Sequence, residues 1–241
     1  MSNLDYRIEP SLDNYDSSIT LDIVEQNDNQ YATAVLDGDV KSIESLHHYT
    51  KRIFDLLFSL TIVLFFSWLY LILAGLIRLE SKGNVIFKQK RTGKNNQDFW
   101  CYKFRTMVIN TDSHHRQASK GDVRITKIGR FLRRSSMDEL PQFLNVILGN
   151  MSVVGPRPHM IKHTEEYQNI IEGYMKRHDM LPGITGWAQI KGFRGETTAS
   201  ESMQKRVDHD IWYIKNWSVL LDVKIVLLTV LHIFNGHENA Y

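Results

Sequence analysis

An α/β, predominantly helical fold with an N-terminal hydrophobic membrane helix is predicted by three features of this 241-residue sequence. Residues 56–77 form an uncharged run of 22 residues closed by Arg78. Short strand-like and turn-like pieces follow it, from Val85 to Met107. Helical apolar patterns then run from Leu140 to Leu148 and from Val219 to Phe234. The division expected is an acidic, disordered tail (1–46), a membrane helix (47–79), a folded domain (80–236) and a short C-terminal tail (237–241).

The tail holds ten acids against Arg7 and Lys41, a net of −8, so with +2 overall the rest of the chain carries +10. Its Asp-, Asn- and Ser-rich text has no sustained apolar period, which argues for disorder. No secretory leader is expected, because the start lacks a basic segment and an apolar run. Cys101 is the only cysteine, so an internal disulfide and a cysteine-rich zinc site are excluded. The basic remainder suits anionic partners.

As a helix the apolar run is about 33 Å long, enough to cross a bilayer core. Lys51 and Arg52 precede it, and Arg78, Lys82, Lys88, Lys90 and Arg91 follow it, so both ends carry the cationic mark of a cytoplasmic flank. A helix that enters and returns satisfies both ends. All five prolines lie elsewhere, which leaves Ser67 as the best bend point, Gly75 being too near the end. Val85-Ile86-Phe87 and Phe99 to Met107 read as strands, the second with Lys103 and Arg105 on one face. His114-His115 point in divergent directions and make no metal site, and Gly121-Asp122 mark a polar loop.

The stretch Arg133-Arg134-Ser135-Ser136-Met137-Asp138-Glu139-Leu140-Pro141-Gln142 is where chemistry is expected. Leu140, Phe143, Leu144, Ile147 and Leu148 fall on one face of an amphipathic helix, and Gly149-Asn150 stops it. Ser136 and Glu139 fit a capping box, and Pro141 is tolerable only at a helix start. Acids there can simply complement the helix dipole, worth about 0.3–1 kcal/mol. Arg124, Lys127, Arg130, Arg133 and Arg134 crowd the preceding segment, however, and Gly155-Pro156-Arg157-Pro158 follows. Cations beside a helix N-terminus attract phosphate. A carboxylate among them should stay ionised, as a nucleophile or a magnesium ligand must.

Further on, His159 and His163 are four apart with no third ligand, and read as surface or supporting residues. Leu181 to Gln189 and Lys191 to Glu196 are Gly-rich turns whose backbone N–H groups could approach a phosphate. The helix from Val219 to Phe234, interrupted by Asp222 and Lys224, suits a membrane interface as well as a core. There is no internal repeat, Walker loop or G-x-G-x-x-G fingerprint.

Lys51-Arg52-Ile53-Phe54-Asp55, Lys103-Phe104-Arg105-Thr106-Met107, Ile128 to Gln142, Gly155-Pro156-Arg157-Pro158, Pro182-Gly183-Ile184-Thr185-Gly186-Trp187 and Trp217-Ser218 occur in that order. Together they resemble the bacterial sugar transferases, the monotopic polyprenyl-phosphate phosphoglycosyl transferases of the undecaprenyl-phosphate glucose/galactose phosphotransferase type. The resemblance runs from about Tyr49 to about Phe234 and leaves out the acidic tail. It implies a compact catalytic domain on the cytoplasmic face of a bacterial inner membrane, held by a re-entrant helix and interfacial amphipathic helices. The implied reaction moves a sugar phosphate from an NDP-sugar, a UDP-hexose first, to undecaprenyl phosphate. UMP leaves and an aspartyl-phosphosugar forms on the way, in the priming step of surface glycan synthesis. By the same resemblance Asp138 and Glu139 are the catalytic pair, Asp138 as nucleophile and Glu139 as the ligand of Mg2+. Arg133 is a phosphate contact, and Lys103, Arg105 and Arg157 meet the donor or lipid phosphate. The partners implied are a UDP-sugar, polyprenyl phosphate and membrane lipids, with no nucleic acid; a homodimer is left open. Two positions depart from the family pattern: Trp68 follows Ser67 where a proline is usual, and Met137 stands where leucine is commoner. The rival reading from residues alone is a non-catalytic, membrane-tethered binding or scaffold protein with a basic anion-binding face.

Overall fold

The computed structural model describes residues 48–110, 119, 121–195 and 200–234. The expected acidic tail, the His114-His115 pair, Glu196 and the C-terminal tail lie outside the described residues.

The apolar run folds as two helices, α1 (His48–Phe65) and α2 (Ser67–Glu80), bent by 61°. Among the described residues no single helix is long and apolar enough to cross a membrane, although this bent pair is so when taken together. The break falls at Phe66, immediately before Ser67 and without a proline. Phe65 and Phe66 meet edge to face there, with ring centroids 4.9 Å apart. Leu57, Leu64, Phe65, Trp68, Leu71 and Leu79 on the two helices are exposed. The inward stripe of α1 is polar instead, because Lys51, Asp55 and Ser59, one turn apart, are all buried.

Strands β1 (Ile86–Thr92) and β2 (Asp98–Phe104) pair antiparallel, Ile86 opposite Phe104 and Thr92 opposite Asp98. Helix α3 (Lys127–Arg134) starts at Thr126, whose hydroxyl accepts from Gly129 N at 2.9 Å. A β-carbon at Gly129 would lie 2.0 Å from the Thr106 carbonyl oxygen, so glycine is what lets α3 press against the strand exit.

Helix α4 (Gln142–Ile147) corrects the sequence expectation. The apolar stripe is divided: Leu140 and Phe143 pack inward, Leu144 and Leu148 are 38% and 63% exposed, and the fully buried positions are Gln142, Asn145 and Val146. The cause is the free edge of β2. Tyr102 N donates to Asn145 Oδ1 at 2.9 Å and Asn145 Nδ2 donates to the Trp100 carbonyl at 2.7 Å. Edge backbone groups without a neighbouring strand need partners, and a side-chain amide supplies both.

Strand β3 (Ser152–Val154) pairs in parallel with β4 (Gly183–Thr185); between them in the chain α5 (Ile161–Tyr167) packs on β1, and α6 (Trp187–Ile190) follows β4. Helices α7 (Ser200–Lys215) and α8 (Val219–Phe234) close the chain. The main core joins Phe99, Cys101, Val146, Met151, Val153, Val154, Tyr213 and Ile225. A second cluster joins Leu73 and Ile77 of α2 to Phe104 and Leu132, with Met137 and Leu140 packed on it. The acid that interrupts α8 is buried, since Asp222 accepts from Lys51 Nζ at 2.8 Å, Tyr213 Oη at 2.6 Å and Trp217 Nε1 at 3.1 Å. Leu220, Leu227, Leu231 and Phe234 on the other face of α8 are exposed.

Candidate active site

After α3 the chain passes through Ser136 in the left-handed region, at φ 56°, and enters a 3-10 turn, Met137–Glu139. The reversal sends Met137 into the α2 cluster and leaves Asp138 and Glu139, both buried, on the wall of a cleft of about 880 Å3. The capping box expected between Ser136 and Glu139 is not formed: no side-chain cap bond is made at Ser136, whose hydroxyl accepts from Arg194 at 3.0 Å. Cations compete successfully for the glutamate. Oε1 of Glu139 lies 2.7 Å from Lys103 Nζ and 2.6 Å from Arg157 Nη2, and Oε2 lies 3.4 Å from Arg157 Nη1 and 3.5 Å from Arg194 Nη2. Among the described residues no hydrogen bond or ion pair engages the Asp138 carboxylate.

The two acids are pushed in opposite directions. Burial would raise Glu139, but the charges of Arg157, Lys103 and Arg194 outweigh it and hold the carboxyl well below the usual glutamate range. At Asp138 burial wins and the charge of Glu139 adds to it, so that Lys103, Arg133 and Arg157 offset the rise only in part.

The elements explain how each cation arrives. Lys103 sits one residue before the end of β2. Arg133, in the last turn of α3, donates from Nε to Thr106 Oγ1 at 2.8 Å, and the cleft is lined by its side chain. Arg157 is carried by the loop from β3 to α5, and that loop lies tightly on the β4 turn. A β-carbon at Gly183 would be 2.1 Å from Gly155 N, and one at Gly186 would be 2.2 Å from Gly155 O. Those glycines let the two backbones pack closely, which aims Arg157, while Gly195 of the second Gly-rich segment lines the cleft. Arg177 Nη2 fixes the Arg157 carbonyl at 2.7 Å while pairing with buried Asp210 at 2.7 Å.

Arg105 is not brought to the carboxylate pair. Its guanidinium donates to the carbonyls of Ile77 (3.3 Å), Ser81 (2.6 Å) and Lys82 (2.7 Å), so it caps the C-terminal end of α2 from the margin of the cleft. Alternation put it beside Lys103, but β2 ends at Phe104 and the two diverge. His159 is no surface residue: its ring is buried, with Nδ1 2.7 Å from Tyr174 Oη and Nε2 3.4 Å from Arg206. Burial and the charges of Arg177 and Arg206 hold its pKa well below that of a free histidine. Since Arg206 can only donate, Nε2 is the accepting nitrogen. Sequence reasoning missed Arg194, Arg91 and Arg206 as cleft residues. Arg194 lies within the Gly-rich turn Lys191 to Glu196, which is a usable signal, whereas Arg206 is one cation among several on α7 and carries none. Among the described residues no group of three or more His, Cys, Asp or Glu could hold a metal ion.

Residues 46–236 match the family described as bacterial sugar transferase. Similar proteins include the UDP-glucose:undecaprenyl-phosphate glucose-1-phosphate transferase of Klebsiella pneumoniae, 50% identical over 190 residues, or 78% of this chain and 40% of the relative. The protein of that name from Escherichia coli (strain K12) is 49% identical over 198 residues, 82% of this chain and 42% of its own length. A third, from Caulobacter vibrioides, is 44% identical over 192 residues, 79% of this chain and 72% of the relative. The chain thus spans less than half the length of the first two relatives.

Proposed function

The chain belongs to the bacterial sugar transferase family, and from that premise we propose that it transfers a sugar phosphate from a UDP-hexose, UDP-glucose foremost, to undecaprenyl phosphate. The observation that carries this reading is the division of labour between the two acids: Glu139 is neutralised by three cations, while Asp138 is buried, unbonded and open to the cleft. A carboxylate stripped of water and hydrogen bonds is a stronger nucleophile once ionised. In the first displacement an Asp138 oxygen attacks the phosphorus that bears the sugar, and the bond to UMP breaks. In the second, a phosphate oxygen of the lipid attacks the same phosphorus, the aspartyl–phosphorus bond breaks, and the Asp138 carboxylate is restored. Arg133, Lys103, Arg157 and Arg194 offset the diphosphate charge that would repel the attacking carboxylate.

Magnesium fits this donor set. It takes one or two carboxylates together with phosphate oxygens and waters, and Oε2 of Glu139 has only the two longer cation contacts. Glu139 would hold the ion, which when bound supplies further neutralisation of the donor diphosphate.

The seat of the reaction is a membrane surface in this reading. The apolar outer sides of α1, α2 and α8, with Leu144 and Leu148, supply the contact area. The 61° bend at Phe66 and the cations at both ends support re-entrance, and on this reading Arg52, Arg78 and Lys82 share the cytoplasmic face.

The test is UMP release by purified protein given undecaprenyl phosphate, magnesium and a panel of UDP-sugars, beside Asp138→Asn. Release from one donor, abolished in the variant, is the expected result. Release that survives Asp138→Asn overturns the nucleophile, and silence from folded protein across the panel overturns the reaction.

A further inference from the structure

Three hydrogen-bonded contacts tie the α1–α2 pair to the segments on either side of the two acids. Glu80, the last residue of α2, accepts from Lys127 N at 2.7 Å and Ile128 N at 3.0 Å, at the start of α3. Arg52 of α1 donates to the Val146 carbonyl at 2.6 Å and the Ile147 carbonyl at 2.9 Å, at the end of α4. An anion at a helix N-terminus and a cation at a C-terminus both stabilise by the dipole. Between these ends, Tyr70 Oη of α2 donates to the carbonyl of Leu140 at 2.6 Å, one residue after Glu139.

The surroundings of Tyr70 make that third contact directional. Its ring packs on Phe104, the neighbour of Lys103, with centroids 5.5 Å apart. Met137 and Leu140, which bracket the acids, pack on the cluster that Leu73 and Ile77 of the same helix form with Phe104 and Leu132. The Leu140 carbonyl also accepts from Phe143 N at 3.1 Å, so it is held from α4 and from α2 at once. The height of the Asp138–Glu139 turn above the cleft is thereby tied to the membrane-facing pair.

We infer that Tyr70 is a positioning residue for the transfer: its hydroxyl, through the Leu140 carbonyl, holds the Asp138–Glu139 turn at attacking depth, which makes the bent helix pair part of the catalytic frame. The kinetic consequence rests on the phosphoglycosyl transfer proposed above.

The experiment compares Tyr70→Phe with Thr61→Val, which removes a hydroxyl bonded within α1 to the Leu57 carbonyl at 2.8 Å. Hydrogen exchange followed by mass spectrometry reads the turn without reference to any reaction. Exchange across residues 138–144 should quicken by about fivefold in Tyr70→Phe alone, as expected for one lost hydrogen bond. UMP release should show kcat lowered by about fivefold, with KM for UDP-glucose within about twofold. Thermal midpoint and vesicle binding should match those of Thr61→Val. Unchanged exchange in Tyr70→Phe overturns the inference, as does a kcat equal to that of Thr61→Val. A wild-type protein that releases no UMP sinks the proposed reaction instead, and the exchange result then decides the positioning alone.

Discussion

At the residue scale, Asp138 and Glu139 show how two adjacent acids acquire opposite characters from their neighbours. Glu139 has its folded pKa depressed, so it stabilises the fold above its unfolded value and loses that contribution as pH falls through the folded one. Asp138 has its folded pKa raised, so the native state loses ground as pH rises through it. Asp138→Asn should therefore raise the thermal midpoint at pH 7 while abolishing UMP release, and the gain should vanish below the ordinary aspartate value of 3.8, where both states are protonated. Glu139→Gln should destabilise by about 3 kcal/mol at pH 7, because three half-buried cations lose the counter-charge of a buried carboxylate; chemical denaturation reads both. The same raised pKa sets the acid limb of the rate. On the proposed mechanism, in which ionised Asp138 attacks, turnover should fall on acidification at a pH above 3.8.

At the scale of elements, α4 shows the limit of periodicity. The spacing of Leu140, Phe143, Leu144, Ile147 and Leu148 marks a helix, but which side turns inward was decided by the unpaired edge of β2 and by Asn145. Asn145→Ala should cost about 2 kcal/mol by leaving two strand groups without partners, measured by urea unfolding. Leu148→Ser should weaken vesicle binding in a flotation assay and leave the unfolding midpoint unchanged, because Leu148 is already 63% exposed. The bend at Phe66 was legible at Ser67 even without a proline, and α8 runs over the residues its apolar pattern indicated.

At the scale of the molecule, a buried ion pair joins the two ends of the described chain. Lys51 Nζ meets Asp222 at 2.8 Å and also the Val154 carbonyl at 3.0 Å, just before the loop that aims Arg157. Asp55 reinforces the same strand, accepting from Ser152 Oγ and Val153 N, each at 2.9 Å. Asp222→Ala should destabilise by about 3–5 kcal/mol, and the Lys51→Met, Asp222→Leu double variant by clearly less, because the penalty lies in the unpaired charge. Urea midpoints of the three proteins check this.

The sequence by itself determined the features encoded in contiguous residues: the adjacent acids Asp138 and Glu139 just ahead of a helix, the break in the first apolar run, the final helix and the order of motifs that mark the family. Only the tertiary structure decided which cations serve the acids. Lys103, Arg157 and Arg194 come from three separate segments to one carboxylate, while Arg105, as basic as its neighbour, is turned to the carbonyls of α2. The physical reason is that a local pattern sets the period and direction of side chains, whereas burial and charge partners are set by segments far away in the chain.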